Sequence, residues 1–178
     1  MENAKGIMEF FIGVIAVFVI FTALLWLLVP AWYGLPPISV RRERIRRALE
    51  LTNPQAGETL YDLGSGHGRV LVIAAKEFGL EVVGIEAGPV QRVVSRVNAL
   101  WNGVSSKVRI EAGDFYKSNL SDADIVFAYL TSDHGKRLGD KLKLELKPGA
   151  RVVTVSFDLT EWQPAFFERN LLFFVYEI

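Results

Sequence analysis

LYDLGSGHGRVLVIAAKEFG, residues 60–79, puts Gly64, Gly66 and Gly68 directly behind a short apolar run and directly ahead of a helical one. Glycine is costly in regular structure, so a cluster at a strand-to-helix turn marks backbone that must pass close to something. Working outward, the same alternation continues. EVVGIE reads as a strand and PVQRVVSRVNALWN as a helix, opened by Pro89 and closed by Gly103. KVRIEAG and ADIVFAYL are strands, HGKRLGDKLKLEL is a helix ended by Lys147-Pro148-Gly149, and RVVTVSF and LLFFVYEI close the chain. Short apolar runs separated by helices predict a doubly wound α/β domain, its sheet parallel and covered on both faces.

The chain has 178 residues, enough for one domain with an appendage. Its apolar fraction of 51% has a visible source in the uncharged run from Phe10 to Val29, about the 20 residues that a helix needs to cross a bilayer. No polar face appears in it at helical spacing, which argues against a core helix. A cleaved signal peptide would have a shorter apolar region and a more basic start. We read residues 7–30 as a transmembrane anchor, 31–39 as a linker and 40–178 as the folded domain. Trp26, Trp32 and Tyr33 cluster toward one end of the anchor, as rings do at a membrane interface, and Pro30, Pro36 and Pro37 are expected to end the helix. Beyond them come Arg41, Arg42, Arg44, Arg46 and Arg47, against the single Lys5 before the run. This asymmetry predicts a single-pass protein with its domain on the cytoplasmic side, its arginines within reach of anionic headgroups. Equally, they form the solvated face of a helix whose other stripe is Ile45, Ala48 and Leu49.

Lys+Arg and Asp+Glu both number 20, so overall charge gives no sign of a nucleic-acid partner. The absence of cysteine excludes disulfides, thiolate metal sites and a Cys nucleophile, and a count of two histidines argues against a His-rich metal site.

In an α/β sheet of this kind, ligands bind where the strands end, beside the first strand. A dinucleotide turn wants a third glycine where this chain has Arg69. The motif here is D-x-G-x-G-x-G, with Asp62 two residues before the first glycine. That acid would repel a pyrophosphate, but it suits a ligand carrying ammonium and sulfonium charges, such as S-adenosylmethionine. The predicted cofactor site is Asp62, Gly64, Ser65, Gly66 and Gly68, with Glu86 and Ala87 at the end of the second strand and Asp114 and Phe115 after the third. Glu86 is placed to accept the ribose hydroxyls. Asp114 could accept from the adenine amino group, and the Phe115 ring could pack on the base. Each acid alone would read more readily as a strand-end or turn residue; three at successive strand ends favour the cofactor.

YDLGSGHGR, VVGIEA, AGDF and LKPGARVV together resemble the seven-strand, Rossmann-like class I methyltransferases. DLGSGHGRVLVIAA, DKLKLELKPGARVV and WQP (162–164) resemble more closely the small protein lysine methyltransferases, which include a soluble archaeal member. Mitochondrial relatives of that group carry an N-terminal membrane segment. They methylate the ATP synthase c subunit and the adenine nucleotide carrier. The resemblance covers roughly residues 40–164 and implies a membrane-anchored enzyme acting on lysines of membrane-associated proteins. The group usually has an acid where this chain has His67, and a proline-and-aromatic segment that helps close its cofactor site, matched loosely here by PPISV.

In this fold the end of the fourth strand faces the methyl group. Tyr129 and Thr131 are therefore candidates to orient an amine and Asp133 to attract it, with Leu130 between them. Asp158, Glu161 and Trp162 could form the opposite wall, Trp162 being equally readable as packing, and His134 reads as a surface residue. The run Phe166, Phe167, Leu171–Phe174 reads as core rather than a lipid-facing mouth. Two other functions fit the same residues: methylation of a lipid, quinone or other membrane small molecule, and a non-catalytic nucleoside-binding module. A nucleic-acid methyltransferase is disfavoured by AYLT after the fourth strand, where an Asn-Pro-Pro-Tyr-like tetrad would be expected.

Overall fold

The computed structural model describes residues 2–32 and 40–178. Tyr33, Pro36 and Pro37, with most of the expected linker and of PPISV, lie outside the described residues, as do the side chains of Pro30 and Trp32. The first helix, α1, runs Glu2–Trp32. Lys5–Val29 within it is long and apolar enough to cross a membrane, and none of it is buried. Phe10, Phe11, Ile15 and Phe18 are all exposed, and a helix that is apolar all round needs an apolar surrounding.

Pro30 does not end this helix, contrary to expectation; α1 continues to Trp32. The cost is local. Proline has no N–H, so the carbonyl of Trp26, four residues earlier, loses its helical donor. The amide Nε2 of Gln91 donates to that oxygen instead, at 3.0 Å.

The domain comprises α2 (Arg42–Glu50), β1 (Thr59–Leu63), α3 (Arg69–Glu77), β2 (Glu81–Glu86), α4 (Pro89–Trp101), β3 (Val108–Ala112) and β4 (Ile125–Ala128). A single 3₁₀ turn (Ser132–His134) leads into α5 (Gly135–Glu145), followed by β5 (Arg151–Val155), β6 (Phe166–Glu168) and β7 (Phe173–Glu177). The seven strands are ordered β3-β2-β1-β4-β5-β7-β6. The β1–β2, β1–β4, β2–β3 and β4–β5 pairs are parallel. Successive residues feed opposite faces: Leu60, Val82, Phe127 and Val153 pack into one core, Tyr61, Val83, Val126 and Val152 into the other. The chain reverses its direction of travel between β3 and β4, which opens a crevice beyond the ends of β1 and β4.

The parallel reading holds for five strands and fails at the edge, where β7 runs antiparallel to both β5 and β6. A parallel return needs a crossover of a dozen residues or more; the short turn at 169–172 between β6 and β7 permits only a hairpin. The closing apolar run is accordingly split. Phe173 is fully buried, whereas Phe166, Phe167 and Leu172 are exposed, with Phe167 stacked on Phe174 at 4.5 Å.

α2 buries Ile45, Ala48 and Leu49 as its pattern predicts. Three of its arginines are used within the domain. Arg44 donates to the Leu171 carbonyl at 2.6 Å, Arg46 makes a forked pair with Glu77 at 2.6 and 2.8 Å, and Arg47 meets Glu168 at 3.0 Å. Arg41 and Arg42 remain exposed.

Candidate functional site

The glycine turn is tied down from both sides. The N–H groups of Gly64 and Ser65 both donate to the Ile85 carbonyl, at 2.9 and 3.1 Å, which draws the end of β1 toward β2. Gly64, Gly66 and Gly68 adopt φ of 78°, 53° and 75°, left-handed values that side-chain-bearing residues rarely take. At Gly68 there is a second reason. A Cβ there would lie 2.1 Å from the Oγ of buried Ser95 on α4, so this last glycine is where α4 crosses the start of α3. Gly68→Ala must therefore both strain the backbone and displace Ser95. We expect a loss of about 2–3 kcal/mol, read as a lower denaturant midpoint with unchanged slope.

Three acids end three adjacent strands. Asp62, 3% exposed, has an Oδ2 with no protein partner. Burial, with the charge of Glu86 adding to it, pushes its carboxyl up to about 8. Glu86 is also buried, and its two oxygens accept from the N–H of Gly66 and of Gly88, each at 2.7 Å. It thus bridges the glycine turn to the loop after β2, where the Ala87 carbonyl accepts from Arg92 at 2.6 Å. Asp114 is half-buried beyond β3, its Oδ1 accepting the N–H of Tyr116 at 2.9 Å, and the preceding Gly113 N–H reaches the Glu86 carbonyl at 3.3 Å. Phe115 is 5% exposed, packed in the second core and 4.5 Å from the Tyr116 ring.

A cleft at the crevice is lined by Asp62, Gly64, Ser65, Gly66, His67 and Arg69, by Phe127 and Tyr129 from the fourth strand's end, and by Val40 and Ile45. Val40, the last residue of PPISV, is held there by Arg69, whose Nη1 donates to its carbonyl at 2.8 Å. The expected site is thus brought together around Asp62, with Glu86 hydrogen-bonded to its turn and Asp114 one strand further along.

The acceptor side is less gathered. Tyr129 faces the cleft, and Thr131 holds an enclosed Oγ1 without a protein partner. Leu130 is buried, and Asp133 is exposed on the 3₁₀ turn. Trp162 packs edge-on against Tyr176 at 5.6 Å and closes over Gly139 of α5, away from the residues lining the cleft. Asp158 and Glu161 are exposed, Glu161 pairing with Lys136 at 3.3 Å.

His134 is not the surface residue the sequence led us to expect. It is half-buried, its Nδ1 lies 2.7 Å from the Tyr116 hydroxyl, and its ring stacks on Tyr116, which Arg137 covers from 3.7 Å. Burial lowers the His134 pKa, which favours the neutral ring. The aromatic pair directly after Asp114 was the signal available for this cluster. Also unforeseen was the part played by α4: Ser95 abuts the turn, and the Asn98 amide donates to the His67 carbonyl at 3.2 Å. The polar residues Gln91, Ser95 and Asn98 recur at one helical face, which marks it in retrospect.

An unpartnered buried carboxylate, an unpartnered Ser65 hydroxyl and a second carboxylate bound to backbone N–H groups form a donor and acceptor set that wants a cationic, hydroxyl-bearing ligand. S-adenosylmethionine fits that set.

The ANTKMT methyltransferase domain family model matches residues 62–166. The chain is 34% identical over 130 residues to a protein-lysine N-methyltransferase of Saccharolobus islandicus, covering 72% of this chain and 81% of that one. It is 35% identical over 137 residues to the mouse adenine nucleotide translocase lysine N-methyltransferase, covering 76% of this chain but only 59% of the relative's length. Among solved structures it is similar to an RNA methyltransferase from Salinibacter ruber bound to S-adenosyl-L-homocysteine. There the TM-score is 0.76 at 32% identity, covering 79% of this chain and 94% of that one.

Proposed function

The chain belongs to the ANTKMT methyltransferase domain family and is an S-adenosylmethionine-dependent methyltransferase, and we propose that it methylates lysine side chains of membrane-associated proteins from a domain tethered by α1. The likeness to protein-lysine methyltransferases along the whole stretch from the glycine turn to the hairpin carries the choice of lysine. The apolar Lys5–Val29 supports the tether, which raises the effective concentration of acceptors held in the same bilayer. By the arginine asymmetry the domain lies on the cytoplasmic side, with exposed Arg41 and Arg42 free to meet anionic headgroups. Protease added outside sealed cells should then leave the domain intact.

When bound, S-adenosylmethionine supplies both the activated methyl group and the leaving group. The residues of this chain position and shield. Asp62 and Ser65 offer their unsatisfied oxygens, Glu86 holds the turn closed while keeping lone pairs for hydroxyls, and Asp114 bounds the base side. An acceptor lysine has to arrive neutral although its ordinary pKa is about 10.4, and a poorly solvated cleft favours the neutral form. Tyr129 and the enclosed Thr131 hydroxyl are the groups at the fourth strand's end able to orient that amine. Alignment of amine and methyl group carries much of the rate.

The Salinibacter ruber similarity raises RNA as a second acceptor class. Ala128-Tyr129-Leu130-Thr131 at the end of β4 and the balanced charge of 20 against 20 weigh against it. The deciding experiment incubates the purified chain with methyl-labelled cofactor and the membranes and RNA of its source cells. Label recovered as methyl-lysine in a membrane protein, and lost with Asp62→Ala, is the expected result. Label in the lipid extract or in RNA would overturn it in favour of those substrates.

A further inference from the structure

We propose that α4 is an interfacial helix, lying in the surface of the same bilayer that α1 crosses, with Val93, Val97, Leu100 and Trp101 immersed at the boundary between headgroups and acyl chains. The inference rests on the reading of α1 as a membrane span.

α4 is two-faced in an unusual way. Gln91, Ser95 and Ala99 are buried against the domain, as an amphipathic helix requires. The opposite face is not polar. Val93 is 56% exposed, Val97 40%, Leu100 65% and Trp101 84%, with Val94 beside them. These positions share one helical stripe. β-Branched residues are weak helix formers and gain nothing from water, so a row of them outside a soluble helix calls for an apolar partner. The flanks are basic: exposed Arg96 on the helix, and Arg42 and Lys76 across the groove that Val94 lines. An apolar stripe edged by bases is the composition of a helix that lies on anionic lipid.

Continuity with α1 identifies the occupant as lipid. The Gln91 amide of α4 satisfies the Trp26 carbonyl that Pro30 leaves without a donor, and the Trp26 ring sits 4.8 Å from that of His67. In hydrocarbon such an orphaned carbonyl would cost several kcal/mol, so this contact is worth most at the membrane. On α1 the half-buried positions are Thr22, Leu25, Trp26 and Val29, one face at helical spacing.

Length then sets the depth. Lys5–Val29 has 25 residues, about 37 Å of helix against a hydrocarbon core of about 30 Å. The last turn or so of the apolar segment therefore extends into the interface, and α4 is fastened there. Because Ser95 and Asn98 also hold the glycine turn, docking α4 fixes the height of the cofactor cleft above the bilayer.

The chain lacks cysteine, so single labels are clean. Val97→Cys, Leu100→Cys, Leu144→Cys and Val17→Cys of the full chain would each carry an environment-sensitive fluorophore, in vesicles of mixed neutral and anionic phospholipid. Leu144, 86% exposed on α5, is the aqueous control, and Val17 reports whether α1 is inserted. Lipids spin-labelled near the ester end of the acyl chain should remove more than about half the emission at positions 97 and 100, as a face sunk roughly 5–10 Å requires, and little at 144. Quenching of 97 and 100 by aqueous iodide instead, with Val17→Cys quenched by lipid, overturns the docking of α4 while leaving the anchor. Protection of both from iodide and lipid alike overturns it in favour of a second copy on that face. Failure of lipid spin-labelled near the methyl end of the acyl chain, the depth at which a spanning α1 places residue 17, to quench Val17→Cys overturns the anchor itself.

Discussion

Glu86→Ala is expected to weaken binding of S-adenosylhomocysteine by about 10-fold or more. Its carboxylate is buried and accepts from two backbone N–H groups, those of Gly66 and Gly88, each at 2.7 Å. Alanine strands both donors. A buried group left unsatisfied costs about 1–3 kcal/mol, so the two together cost about 2–6 kcal/mol, against about 1.4 kcal/mol per tenfold in affinity. Part of that cost falls on the ligand-free fold, because the glycine turn loses its brace to β2. Part falls on the bound state, which also loses an acceptor for the ligand's hydroxyls. Glu86→Gln separates the two: its amide keeps one oxygen but turns a donor toward a donor, so affinity should fall nearly as far as in Glu86→Ala. Calorimetric titration reads the affinities, and far-UV dichroism shows that the sheet persists. Affinity held within about threefold in Glu86→Ala would remove Glu86 from the site, since a hydrogen bond lost between a carboxylate and the ligand's hydroxyls costs more than that.

The sequence made the centre of this molecule legible and its margins less so, for physical reasons. β1, β2 and β4 are buried on both faces and read as continuous apolar runs, and the turn between β1 and α3 needs backbone angles that only glycine takes freely. Those constraints are local, so Asp62, Glu86 and the turn could be placed from spacing alone. Constraints set by distant neighbours could not. Gly68 is small because Ser95, far along the chain, presses on it. His134 reads as a surface residue at a helix start because Tyr116, which packs against it, lies on the other side of β4 in the chain. Pro30 looked like a helix terminator because its cost is ordinarily unpaid, and the donor that offsets it belongs to α4. Phe166 and Phe167 looked like core because apolar runs usually are; they lie on an edge hairpin whose outer face the domain leaves open.

Cofactor affinity should depend steeply on pH through Asp62. Its carboxyl, raised from the ordinary 3.8 to about 8 by burial and by the Glu86 charge, holds a proton at neutral pH in the ligand-free chain. A cationic ligand group at the unpartnered Oδ2 favours the ionised form, so binding must expel that proton. The association constant of S-adenosylhomocysteine, through its ammonium group, should rise by up to about tenfold per pH unit as pH climbs toward about 8, then level off. The ligand-free fold should move the other way. Its folded pKa lies above the unfolded value, so the folded chain retains a proton that the unfolded chain releases. Stability is fullest below about pH 4 as far as this group is concerned. It falls as pH rises from there to about 8, by up to about 1.4 kcal/mol per unit. Asp62→Asn removes both slopes together. It should bind about 10- to 100-fold more weakly than the parent at pH 8, having lost a charge-assisted hydrogen bond, and bind with little pH dependence below that. Calorimetry in buffers of differing ionisation enthalpy counts the protons directly. Release of close to one proton per ligand at pH 6.5, abolished in Asp62→Asn, is the expected result. An unchanged count in the variant would place the titrating group elsewhere, and Asp62 would then serve the fold rather than the ligand.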